Sequence, residues 1–158
     1  MEIRRRDGSL ICSADGSDDG TLNSAMLDDL DLSNAVLDGV IAEGIWLNDC
    51  VLKDGSLRNA SLYWAHCFRT DFNGADLEGA DLRGADMKRS NLTNVNLRRA
   101  KLGTDNVGSG AQLQGACLLG ARLEGTVLEG AEYDDDTKFS PGFDPRAHRM
   151  AYKQLKRR

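Results

Sequence analysis

The residues able to carry chemistry are few and scattered. Cys12, Cys50, Cys67 and Cys117 form no C-x-x-C pair and no zinc-ligand spacing with His66 or His148. A zinc centre draws its thiolates and imidazoles from closely spaced pairs, so no metal site is expected. The thiols read instead as small buried or surface groups of a reducing compartment. Nothing in the chain matches G-x-S-x-G, H-E-x-x-H or a Walker loop, and Gly108-Ser109-Gly110 lacks the third glycine of a dinucleotide fingerprint. Catalysis requires an acid, a base or a nucleophile brought together in one place. The acids here alternate along a solvated surface, so no catalytic residue and no cofactor is expected.

The elements that position these residues follow from a period of five. Leucine-like residues recur at Leu22, Leu27, Leu32, Leu37, Leu47, Leu52, Leu57 and Leu62, and continue through Phe72, Leu77, Leu82, Met87, Leu92, Leu97 and Leu102. Ala42 and Cys67 interrupt the series. Two positions before most of them stands a small residue, as at Ala25, Ala35, Ala60, Ala75, Ala80 and Ala100. Five is neither the 3.6 of an α-helix nor the 2 of a strand. A chain that turns a corner every fifth residue keeps these positions inward, and four corners close a square coil. Glycine or asparagine recurs at the corner slot (Gly74, Gly79, Gly84, Asn94, Gly110, Gly115, Gly120), where tight turns favour positive φ.

The tandem A(D/N)LxG pattern, clearest in ADLEG-ADLRG over Ala75–Gly84, resembles the pentapeptide-repeat family over about 70% of the chain, Gly20 to Tyr133. The resemblance implies an all-β fold, a right-handed quadrilateral β-helix of about six coils, roughly 25–30 Å long at the ~4.8 Å strand spacing. Residues 1–19 are then an N-terminal hairpin and cap, 20–133 the β-helix, and 134–158 a C-terminal cap and basic tail. A two-residue Asp7-Gly8 turn is predicted for the hairpin. An acidic loop is predicted over Ala14–Gly20. Phe139 and Phe143 are expected to cover the last coil, and Arg146–Arg158 to form either a basic helix with Ala147, Ala151 and Leu155 on one side or a frayed tail. The frame slips by one residue within Gly103–Gly110, which calls for one extra residue at a bulge or corner.

The formal net charge of −5 is unevenly spread: residues 7–52 hold ten acids and no Lys or Arg, whereas 53–101 hold nine bases and six acids. Stacking at intervals of 20 predicts a column Asp38, Arg58, Glu78, Arg98 and another Asp29, Asp49, Arg69, Arg89. The outward positions also collect Trp46, Tyr63, Trp64, His66 and Phe68, a candidate partner-binding patch, since clustered exposed aromatics mark protein interfaces. A non-catalytic interaction or scaffold module is therefore expected, with a protein partner and a possible homodimer. The family resemblance also implies an alternative: a DNA-mimic modulator of a type II topoisomerase (gyrase), favoured by the acidic body and opposed by the basic middle. Direct nucleic-acid binding is not expected of a chain this acidic. No 20-residue apolar run and no secretory signal is visible, so no membrane association and a cytoplasmic location are expected.

Overall fold

The computed structural model describes residues 1–14 and 20–154. Most of the expected acidic loop, and Leu155 of the expected tail helix, lie outside the described residues. Each side of the coil ends in a four-residue turn closed by a hydrogen bond, as from Ala35 N to Leu32 O or from Ala80 N to Leu77 O, both 3.0 Å. The third turn residue is left-handed, with φ +60° at Asn34 and +71° at Gly79. That combination defines a type II turn.

Glycine, asparagine and aspartate fill most corners, yet Trp64, Arg69, Arg89 and Arg99 hold φ between 55° and 58°. The coil thus imposes the corner on residues that resist it, at about 1–2 kcal/mol each. Gly110, expected at a corner, has no positive φ; it is small because a Cβ would run into the Gly130 carbonyl. The Asp/Asn slot also has a local cause. Its side-chain oxygen accepts from the backbone N–H two residues on, as Asp71 does from Asn73 N (3.0 Å) and Asp76 from Glu78 N (3.1 Å). Such a bond pre-forms the turn.

Successive coils stack in parallel. Met26, Trp46, His66 and Asp86 align on one side, Asp31, Val51, Asp71 and Asn91 on the next, then Val36, Ser56, Asp76 and Asn96, and finally Ile41, Ser61, Asp81 and Lys101. Each outward residue donates back to the preceding coil (His66 N to Ile45 O, 2.8 Å), and the residue after it donates forward (Cys67 N to Asp86 O, 2.7 Å). The square coil is therefore present as the spacing demands.

Leucines fill the axis, with Leu32, Leu52, Leu57, Leu77, Leu82 and Leu97 fully buried. Each contributes about 1.5–3 kcal/mol by leaving water. Where the series breaks, the volume is made up nearby. Ile45 stands in an alanine slot after Ala42, and Phe72 follows Cys67 in the same coil, all of them buried. Buried hydroxyls use the turn carbonyls: Thr70 donates to Leu47 O at 2.6 Å and Ser90 to Met87 O at 2.7 Å.

Both ends are closed. β1 (Glu2–Arg4) and β2 (Leu10–Ser13) form an antiparallel hairpin whose Ile3 is fully buried. Its loop has three residues, not two. Arg5 N bonds to Ser9 O and Gly8 N to Arg5 O, both at 2.9 Å, and Gly8 has φ +85°. A type I turn followed by a left-handed glycine gives this geometry. The hairpin docks on the first coil through Val36 N to Arg4 O, 2.9 Å.

At the other end β3 (Cys117–Leu118) pairs in parallel with β5 (Lys138–Phe139), and β4 (Glu132–Tyr133) with β6 (Ala151–Tyr152). The expected basic helix is absent from the described tail. Arg149 turns left-handed (φ +54°), and Ala151 and Lys153 donate to Ala131 and Tyr133 as a further rung. An open coil edge offers backbone partners that a short isolated helix lacks. Phe139 and Phe143 stack at 4.7 Å under this cap, as do Phe143 and His148. No helix among the described residues is long and apolar enough to cross a membrane.

Candidate partner-binding surface

Within the repeats the coil regularity is broken after Leu102. Asp86 aligns with Gln112, 26 residues on rather than 20. Six residues are therefore inserted, a whole side plus one; a frame reading registers only the remainder. The insertion leaves the coil after Leu102 and returns where Ala111 N bonds Leu102 O at 2.8 Å.

Asp105 organises this loop. One carboxylate oxygen accepts from Val107 N (2.9 Å) and Ser109 N (2.8 Å), and the other accepts from the Tyr63 hydroxyl (2.8 Å) and Trp64 Nε1 (3.2 Å). The Ser109 N–H first, then the Tyr63, Val107 and Trp64 donors, hold its carboxyl below the ordinary aspartate range against the opposing effect of burial. The same bond pushes the Tyr63 phenol up. Loop and aromatics thus form one unit.

The loop belongs to the corner two coils below Tyr63 and Trp64, so it crosses the intervening corner at Arg83–Gly84. Gly84 makes this possible: a Cβ there would sit 2.9 Å from the Trp64 indole. Gly130 plays the same part on the other side, against Thr104. Beside the loop opens a polar cleft of about 340 Å³ lined by Glu43, Ser61, Tyr63, Asp81, Arg83 and Asn106. Arg83 forks onto Asp81 at 2.6 and 2.8 Å and lies 5.6 Å over the Tyr63 ring, so the cleft wall is already ion-paired.

The five sequence-selected aromatics all face outward but do not merge into one cluster. Trp46 and His66 stack at 4.2 Å, and Tyr63 and Trp64 meet edge-on at 6.3 Å. Phe68 stands at the next corner, flanked by the Arg69 and Arg89 guanidinium groups at 5.3 and 6.0 Å. Asp105 was not among the residues selected by sequence. Its one signal is an aspartate ahead of Gly108 and Gly110 within the frame slip, a loop-forming combination. Among the described residues no group of three or more His, Cys, Asp or Glu could hold a metal ion.

Several carboxylates in the middle of the surface are ion-paired. Arg58 bonds Asp76 (3.0 Å) and Glu78 (3.4 Å), Arg69 bonds Asp49 (2.6 Å), Lys53 bonds Asp71 (3.2 Å) and Lys88 bonds Asp86 (3.1 Å). The Asp38–Arg58–Glu78 column exists, with Arg58 N on Asp38 at 2.9 Å. Arg98 follows in register, with Gly79 N on Arg98 O at 2.9 Å, while the second base that Glu78 takes is Arg99, at 3.5 Å.

A closed rod of parallel square coils with type II corners defines the class of right-handed quadrilateral β-helices. The family model for pentapeptide repeats matches residues 60–99 and 109–132 in eight copies, leaving the loop between the two segments. Over those residues the chain carries pentapeptide repeats. Among solved structures it is similar to a pentapeptide repeat protein from the cyanobacterium Cyanothece 51142, at 35% identity and TM-score 0.59. That match covers 64% of this chain and 65% of the other, so the chain spans just under two thirds of that relative's length. A pentapeptide repeat protein from the Arabidopsis thaliana thylakoid lumen is 26% identical over 73% of this chain and 70% of that one, with TM-score 0.46. QnrB1, a plasmid-mediated fluoroquinolone resistance protein, is 14% identical over 85% and 87%, with TM-score 0.41. No curated protein sequence matches the chain.

Proposed function

We propose that the chain is a non-catalytic interaction module that binds a protein partner through the surface formed by Trp46, His66, Tyr63, Trp64 and the 103–110 loop. The supporting observation is Asp105, whose hydrogen bonds fix the loop to two outward aromatics. Interface residues gain affinity when they are rigid before binding, because less freedom is lost on association. Trp64 remains 42% exposed in that fixed arrangement, and Trp46, stacked on His66, 38%. The four free thiols suit the reducing conditions of a cytoplasm. The test is recovery of binding partners from native lysate by the intact protein, Trp46→Ala, Trp64→Ala and Asp105→Ala. The reading requires a partner lost from all three variants; a partner profile unchanged by them overturns it.

The topoisomerase alternative has weaker support. A DNA mimic presents uninterrupted negative charge, and here Arg58, Arg69, Arg83 and Lys88 sit on the carboxylates of the middle coils. A gyrase supercoiling assay at micromolar protein separates the two readings: no effect on supercoiling removes this alternative.

A further inference from the structure

The side of the rod bearing Met26, Trp46 and His66 carries an apolar stripe that no described residue covers: Met26 is 79% exposed and Trp46 38%. From Met26 to Trp46 the charge along its edges has one sign. Asp28 and Asp29 stand exposed at the corner on one edge, Glu43 stands exposed at the corner on the other, and residues 7–52 contain no Lys or Arg. The first base reached along the stripe is Arg69, already bonded to Asp49.

Resting on the interaction reading above, we infer that the partner contributes a basic amphipathic α-helix laid lengthwise along this stripe. Spacing supports a helix. Its turns repeat at about 5.4 Å and the rungs at about 4.8 Å, so a helix drifts by only about 1.2 Å over the two steps from Met26 to His66. Apolar side chains one turn apart then seat between successive rungs. Lysines and arginines on the helix flanks meet Asp28, Asp29 and Glu43, and a cation also gains from the Trp46 ring. An acidic helix meets like charge on both edges.

The probe is a 14-residue helical peptide of leucine and lysine, with a leucine–glutamate peptide of the same pattern as control, titrated against the intact protein by tryptophan fluorescence and calorimetry. The lysine peptide binds and weakens steeply with salt, and the glutamate peptide does not bind. Trp46→Ala and Met26→Glu each reduce affinity at least tenfold. Asp28→Asn/Asp29→Asn reduces it several-fold, whereas Glu124→Gln/Glu129→Gln, which removes the same charge elsewhere, does not. Circular dichroism confirms that each variant is folded. Absence of binding at low salt, equal affinity for Trp46→Ala, or equal loss in the two charge variants overturns the inference. If a native partner still depends on Trp46 in that case, the interaction surface stands and only the basic helix is lost.

Discussion

The Tyr63 hydroxyl donates a 2.8 Å hydrogen bond to the Asp105 carboxylate across 42 residues of sequence. Most cross-coil bonds in the rod span about 20 residues, one rung to the next. This one spans two rungs, and it can do so because the six-residue insertion frees the chain to fold back over Gly84.

Asp105→Ala releases the loop. Amide exchange over 103–110 speeds up by at least tenfold while exchange in the coils is unchanged, and Trp64 emission shifts as its indole loses its acceptor. The pH dependence has a definite sign. Folding lowers the Asp105 pKa, so its contribution is complete at neutral pH and is lost as pH falls through the lowered folded value. Loop exchange in the wild type therefore accelerates only on acidification below the ordinary aspartate range, and Asp105→Ala lacks that step.

Two glycine-to-alanine substitutions separate strain from collision. Gly39 has φ +65° with nothing within 4 Å of an added Cβ, so Gly39→Ala costs about 1–2 kcal/mol from the left-handed corner alone. Gly84→Ala meets the Trp64 indole at 2.9 Å as well. Denaturant titration shows Gly84→Ala to be the less stable of the two, and its Trp64 fluorescence is altered while that of Gly39→Ala is not.

Thiol labelling reads the core directly. Burial pushes Cys50 up to about 11 and raises Cys67 further. With alkylating reagent at pH 8, Cys12 and Cys117, both partly exposed, are modified first, and Cys50 and Cys67 react only on unfolding. Mass spectrometry after timed quenching gives the order; early modification of Cys67 contradicts the inward position assigned to it.

Core substitutions follow what each side chain touches. Leu82→Ala opens a cavity on the axis and costs about 2–5 kcal/mol. Thr70→Val keeps the shape but removes the donor to Leu47 O, at about 1 kcal/mol. Thermal melts rank the first well below the second.

The leucine spacing was enough to place the axis, because a residue every five positions stays inward only in a four-cornered coil. The same periodicity located the outward aromatics. It could not show that Tyr63 and Trp64 belong to a loop forty residues on, since a frame count keeps the remainder after division by five and discards the whole side. Corner residues such as Trp64 and Arg69 were also illegible: their own preference is against positive φ, and stacking with neighbouring coils overrides it. The tail read as a helix because its composition suits one, while β6 exists through the backbone edge of β4, which no local pattern encodes. The hairpin was legible as a turn at Asp7-Gly8, but its loop length depends on how β1 and β2 meet.

The reach of the 103–110 loop also bears on how the rod comes apart. A solenoid joined only through neighbouring rungs can peel from either end one coil at a time. The bond between Asp105 and the Tyr63–Trp64 pair rivets three successive coils together, so under a pulling force those coils should yield in a single step larger than any from the coils outside them.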